Sequence, residues 1–413
     1  MTKDVPGIGG GIKARLEDFI VGEVPLYEPC GEGEHAYLEI EKRDLSTFEA
    51  VERLAKALRK DPRDFGFAGM KDRKGITRQY ISISGVDPKR ARELDLSQIQ
   101  IRSVTLHRNK LRVGHLRGNR FFIRVHGVKA TPEQVDAVLS RLESGGMPNY
   151  YGPQRFGVRG EAHAIGKSLL QGDSQAATAA ILGRPSDVEN NPDVVSSRYL
   201  FEQYRWAEAL RRIPISYRDE RRMLQYLLLK GEDYQGAVKG IRHNVFKLYL
   251  SAFQAHIFNT VLERRLAKNG EKLEEFVLGD VAFLHRNGAL FTVENVEELK
   301  ERAESFEISP SGPIIGSKML GPGPGLAHEI ESEVLAAENL ASESYKVLDS
   351  HQLMGSRRPL RVKPEELEWE LDGEDLKLTF FLPRGSYATT LLRELMKNDE
   401  VPPSLRGLGT SLS

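Results

Sequence analysis

With 413 residues the chain is long enough for roughly two or three domains and a substantial buried core. Lys plus Arg equals Asp plus Glu at 59 each, so no whole-molecule cationic field marks a nucleic-acid binder, and any such partner has to meet a local basic patch. No stretch approaches the roughly 20 apolar residues of a membrane span, the N-terminal "MTKDVPGIGGGIKARLEDF" lacks a secretory core, which leaves the cytoplasm as the expected compartment, and the single cysteine, Cys30, excludes an internal disulfide and a multi-thiolate zinc site.

In chain order, "DFIVGEVPLYEP" and "HAYLEIEKR" read as short strands. In the second, Leu38 and Ile40 fall on one face and Tyr37, Glu39 and Glu41 on the other, the pattern of a sheet with one wetted side. "STFEAVERLAKALRK" has Ser46 and Glu49 at capping-box spacing, and Phe48, Val51, Leu54, Ala55 and Leu58 trace a helical stripe that Asp61 and Pro62 end. A charged loop, "FAGMKDRKGITRQ", leads into the alternating "QYISIS", and "NRFFIRVHGV" predicts a further strand. "TPEQVDAVLSRLESGG" is a second helix, with Thr131 as cap, Pro132 at its first position and Gly145 after its end. From about Arg159 the sequence turns helix-rich, including "RYLFEQYRWAEALRRI" and "LYLSAFQAHIFNTVLERRLAKNG", where Phe253, Ile257 and Val261 share a face and Gly270 closes the helix. Pro310 to Gly325 reads as loop by composition. After about His351 a strand-then-helix pattern returns with "LKLTFFLPRGSYATTLLRELMKN". The simplest organisation is an α+β domain built from both ends of the chain with another domain inserted, divided as 1–158, 159–350 and 351–413.

Familiar nucleotide and hydrolase signatures are missing. "GIGGGIK" lacks the third glycine of a dinucleotide fingerprint, "GMKDRKGIT" lacks the ending of a phosphate loop, and there is no Gly-x-Ser-x-Gly elbow and no His-x-x-x-His pair. Two windows carry more chemistry. In the charged loop one carboxylate, Asp72, stands among Lys71, Arg73, Lys74 and Arg78, an arrangement that also suits an exposed turn. "NYYGPQRFG" sets an amide, two aromatics and Arg155 within a short turn, groups that can stack an extruded base and read its edge, although Tyr150 and Tyr151 equally suit a core.

Taken in order, "DFIVGEVPLYEPCGEGEHAYLEIEKR", "STFEAVERLAKAL", "FAGMKDRKGITRQ", "NYYGPQRFG", "LSAFQAHIFN" and "FFLPRGSYATTLLREL" resemble the motifs of the tRNA pseudouridine synthase D (TruD) family, from about Gly11 to about Lys397. The resemblance implies a pseudouridine-synthase fold of α+β class, with a mixed, mainly antiparallel sheet plus helices and an inserted α/β TRUD domain. It implies isomerisation of a uridine in tRNA, typically at position 13, without metal or organic cofactor. Ala68, Gly69, Met70, Lys71 and Asp72 match the family's Ala-Gly-x-Lys-Asp motif, making Asp72 the catalytic residue; such a carboxylate attacks or takes a proton only when ionised, and nearby cations favour that form. By the same resemblance Lys13 ion-pairs with Asp72, Phe19 packs near the site, Asn149 hydrogen-bonds the substrate and Tyr151 stacks on the target base, with Arg155 beside them. The alternation of Phe19 with Val21 fits a core strand as well.

An enzyme that works on an extruded base needs a positive surface around its pocket. The candidates are Lys71, Arg73, Lys74, Arg78, Arg108, Lys110, Arg112 and Arg155; Arg108 to Arg120 holds five arginines or lysines alternating with Leu111 and Val113, a pattern that equally suits a solvated strand face. The expected partner is tRNA, with no membrane and no metal, and the chain is expected to act as a monomer. Two other readings stay open: an RNA-binding protein with a silent pocket, and a two-carboxylate glycosidic hydrolase, for which Asp64 is the acid close to Asp72 in sequence.

Overall fold

The computed structural model describes residues 2–71, 73–270 and 272–398. Alternating apolar residues build a nine-stranded sheet whose main path runs Glu365–Asp372, Asp375–Pro383, Leu116–His126, Phe19–Pro25, Ile76–Ser84, His35–Arg43, Ile99–His107. The pairing of Phe19–Pro25 with Ile76–Ser84 is parallel, and every other neighbour along that path is antiparallel. The helix Thr47–Leu58 buries Val51, Leu54 and Leu58 in one core with Leu38, Ile40, Ile81 and Ile83. Its start is a true capping box: Glu49 N donates to Ser46 Oγ at 3.2 Å and Ser46 N to Glu49 Oε2 at 2.7 Å. The helices Pro132–Gly145 and Ala388–Met396 place Val135, Leu139, Leu391 and Leu395 in a second core with Ile123, Val125 and Leu378.

The chain forms two compact units, Pro148–Arg361 and Thr2–Met147 together with 362–398. The boundaries read from sequence, 158/159 and 350/351, therefore fall inside the former unit. Residues 148–158 and 351–361 resemble joints in composition, but Asn149 N donates to Leu360 O at 2.9 Å and ties the two segments together there. The inserted unit is mainly helical around the long helix His243–Lys268, with Phe253, Ile257 and Val261 buried as expected. The helical run beginning at Arg198 breaks at Tyr204, whose φ is +58°, into Pro192–Glu202 and Trp206–Arg212. No helix among the described residues is long and apolar enough to cross a membrane.

Three local expectations are corrected. Pro310 to Gly325 is not all loop: Ile308–Ile314 is an interior strand of a four-stranded sheet. It pairs with Val281–Leu284 through residues 308–311 and with Ser356–Pro359 through 311–314, so Pro310 and Pro313 each lie opposite a single strand and cost few ladder bonds. The side of His35–Arg43 read as wetted is largely covered. Tyr37 is buried with Ala68, Leu111 and Leu116 and donates to Asn109 O at 3.0 Å, while Glu41 is buried under Arg43, Arg78 and Arg102. Finally, 108–115 is a loop between strands, in which Leu111 turns inward and Val113 is 77% exposed.

Candidate active site

The parallel register sets Ile20 opposite Ile76. Parallel neighbours cannot be joined by a tight turn, so the chain leaves through His35–Arg43 and Thr47–Leu58 and comes back through the charged loop. Gly75, the residue before Ile76, consequently arrives beside Phe19. It does so at φ +135°, where a Cβ would stand 2.6 Å from Phe19 O and 3.2 Å from Phe19 Cδ1, a contact that glycine alone accommodates. Phe19 is buried, edge-on to Phe121 at 6.4 Å between centroids. Lys13 Nζ lies 3.8 Å from the Phe19 ring centroid, a cation–π contact, and Lys13 holds a φ of +62° that is uncommon outside glycine. Lys13, Phe19 and the returning loop are thus brought together. Asp72 itself lies outside the described residues.

Lys71 departs from its expected role as a surface cation. Its side chain is 5% exposed, and Nζ lies 3.0 Å from Glu23 Oε2 and donates to Asn119 Oδ1 at 2.7 Å. Burial pushes the Glu23 carboxyl above its ordinary range, and the charge and hydrogen bond of Lys71 act against that push. Arg78 is likewise committed, donating to Glu41 Oε2 at 2.9 Å. Partial burial disfavours ionised Glu41, but the Arg78 hydrogen bond and the charges of Arg78, Arg43 and Arg102 prevail and hold its pKa below the usual value. Arg73 is exposed and reaches Glu49 at 3.2 Å, Lys74 is exposed, Arg108 pairs with Glu32, and Lys110 donates to Arg63 O at 2.9 Å. Arg112 is exposed and makes no ion pair among the described residues.

In the inserted unit, "NYYGPQRFG" forms its own cluster. Tyr151 is half-buried, meets Phe258 edge-on at 5.6 Å, and has its backbone bonded both ways to the Asn259 amide, at 2.8 and 3.0 Å. Arg155 lies 5.7 Å from the Tyr151 ring centroid. Arg358 lies nearer, at 4.2 Å, and donates to both the backbone and side-chain oxygens of Asn149. Asn149 is buried and also donates to Pro359 O at 2.9 Å, so its amide oxygen is already engaged and the residue holds Arg358 over the tyrosine. Tyr150 packs in the same small core with Leu262, Leu273 and Leu360.

A family model described as tRNA pseudouridine synthase D (TruD) matches residues 1–395. The chain belongs to the tRNA pseudouridine synthase D family. With that membership comes the isomerisation of uridine to pseudouridine in tRNA. It is 45% identical over 403 residues to the tRNA pseudouridine synthase D of Geotalea daltonii, covering 96% of this chain and 99% of that one. It is 35% identical over 402 residues to the Thermus thermophilus relative of the same name, covering 96% and 91%. The crystal structure of a Methanosarcina mazei protein assigned to tRNA pseudouridine synthase D superposes with a TM-score of 0.79 at 29% identity, over 98% of this chain and 96% of the other.

Within this TruD framework, sequence reasoning missed Glu23, Asn119 and Arg358. Glu23 had a signal: it continues the Phe19, Val21 parity, an acid at an inward strand position, and its side chain is 1% exposed. Arg358 had a weaker one in "SRRP". Adjacent residues of a strand face opposite ways, and here Arg357 turns inward to Glu331 at 2.6 Å while Arg358 turns to Asn149 and Tyr151.

Proposed function

We infer that this chain converts uridine-13 of tRNA to pseudouridine, with Asp72 as the reacting carboxylate and protein groups alone carrying the chemistry. The base is detached from its nitrogen link to the sugar, turned, and rejoined through carbon. The observation that carries the assignment is the tethering of the motif loop at both ends. Lys71 is held by Glu23 and Asn119, and Gly75 is wedged under Phe19. Such restraint is what a reacting group needs, because small misplacements at the chemistry cost large factors in rate. Lys13 is assigned to keep the Asp72 carboxylate ionised, as an opposite charge does. Tyr151 offers a ring for the extruded uracil, and Arg358 and Arg155 orient that ring. Arg73, Lys74, Arg108, Lys110 and Arg112 serve as phosphate contacts, which supply affinity rather than sequence reading.

In this reading the unit formed by the two ends of the chain is catalytic, the inserted unit contacts RNA, and the protein acts as a monomer in the cytoplasm. The test is pseudouridine mapping in a tRNA transcript treated with purified wild-type protein and with Asp72→Asn. An amide is nearly isosteric with the carboxylate but neither nucleophilic nor basic. The wild type should modify position 13, and the variant should bind tRNA but form no pseudouridine. Modification at another position refutes the site, and substantial product from Asp72→Asn refutes the residue. Release of free uracil would instead favour a glycosidic hydrolase.

A further inference from the structure

Lys71 sits in the family motif directly before Asp72, yet its side chain is buried, with its ammonium against Glu23 and Asn119. It forms an ion pair with Glu23, Nζ to Oε2 at 3.0 Å, and donates a hydrogen bond to Asn119 Oδ1 at 2.7 Å. Its backbone amide donates to Thr47 Oγ1 at 2.9 Å, and that hydroxyl donates onward to Gln79 Oε1 at 3.0 Å. These partners come from four elements. Glu23 is on Phe19–Pro25, Asn119 on Leu116–His126, Gln79 on Ile76–Ser84, and Thr47 is the first residue of the helix Thr47–Leu58. Glu23 also accepts from Tyr80 N at 3.4 Å. One side chain and one amide therefore register the loop against three strands and a helix terminus.

We propose that Lys71 is a positioning residue for the Asp72 loop and not an RNA contact, with Glu23 and Asn119 as the sockets that receive it. The proposal rests on the reading of Asp72 as the reacting carboxylate. The physical argument is a difference in where the charge sits. A phosphate-binding lysine needs a solvent-facing ammonium, and each such contact contributes about one unit to the salt slope of RNA binding. An ammonium neutralised inside the protein contributes nothing to that slope, but its removal frees the backbone next to the reacting group. The two roles thus predict opposite splits between binding and rate.

The experiment measures the single-turnover rate, the Kd for a tRNA transcript over a range of salt, and the melting temperature. It uses full-length wild type, Lys71→Met, Asn119→Ala, the double variant Lys71→Met/Glu23→Gln, and Asp72→Asn as reference. Lys71→Met should lower the rate at saturating protein by about tenfold or more, leaving the Kd and its salt slope unchanged. The double variant should recover melting temperature relative to Lys71→Met, because no buried carboxylate is left without its cation, while its rate stays low. Weaker binding with a flatter slope overturns the proposal and makes Lys71 a phosphate contact. Recovery of both stability and rate in the double variant also overturns it, leaving a merely structural ion pair. Should Lys71→Met fail to fold, Asn119→Ala decides, since it keeps the ion pair: a slower rate at unchanged Kd supports positioning, and an unchanged rate refutes it. An inactive Asp72→Asn beside a normal Lys71→Met sinks this proposal alone, whereas an active Asp72→Asn sinks the catalytic reading and this proposal with it.

Discussion

Adding one methyl group at Gly75 tests how the fold delivers the motif loop. The native φ of +135° belongs almost exclusively to glycine, and the Cβ of Gly75→Ala would stand 2.6 Å from the Phe19 carbonyl oxygen. That oxygen is backbone on the neighbouring parallel strand and cannot rotate away. Holding a side-chain-bearing residue in such a conformation costs about 1–3 kcal/mol, and forcing extra volume into a packed site costs about 1–3 kcal/mol more. Partial relaxation shares these terms, so a loss of about 2–4 kcal/mol is expected. For a cooperative unit of roughly 150–250 residues this lowers the melting temperature by about 4–16 °C. Relief of the clash has to shift the loop or the start of the Ile76–Ser84 strand, so the single-turnover rate per folded molecule should fall by about 100-fold. Gly85→Ala is the control: its φ is +64° and the nearest atom to the new Cβ is the mobile end of Lys60, 3.3 Å away. It should cost about 1 kcal/mol and leave the rate alone. Wild-type stability and rate in Gly75→Ala would refute the argument that this glycine is required by its contact with Phe19.

The Tyr151 ring has structural as well as proposed substrate contacts, so Tyr151→Leu should lose about 1–3 kcal/mol of stability from the Arg358 and Phe258 contacts. It should also lose about 5-fold to 150-fold in turnover per folded molecule from absent base stacking, while Tyr151→Phe keeps most of both; an unaltered rate in folded Tyr151→Leu removes the stacking role. Arg112→Ala should lower the salt slope of tRNA affinity by about one unit, and an unchanged slope takes Arg112 out of the RNA footprint. His126 has its two ring nitrogens 2.9 Å from Asp18 and 2.9 Å from Asp375. The Asp18 hydrogen bond above all, then that of Asp375, raises its pKa against the opposing effect of burial. A raised folded pKa means that its stabilisation is complete below about pH 6.5 and is lost as pH rises through the folded value. Melting curves between about pH 5.5 and 8.5 should show that decline in the wild type and a flatter profile in His126→Asn; equal slopes refute the assignment.

Features set by neighbours along the chain were legible from residues alone. The Ser46–Glu49 box, the Thr131 cap and the alternation of Phe19, Val21 and the Ile81, Ile83 pair depend on spacings of two to four residues, and the structure has them where the pattern puts them. The ordered motifs identified the family because their residue types recur at defined intervals. Where a charged side chain points is a different matter, since it depends on which distant segment supplies its partner. Lys71 and Arg73 look alike in sequence. Lys71 turns inward because Glu23 and Asn119, 48 residues before it and 48 residues after it, meet it from two strands, and Arg73 stays outside with Glu49. The covered face of His35–Arg43 was hidden for the same reason: Leu111 and Ala68 arrive from loops that composition marks only as polar. Local pattern records the period of an element, but burial and pairing free energies arise between residues far apart in the chain, and only the folded sheet brings those residues within reach of one another.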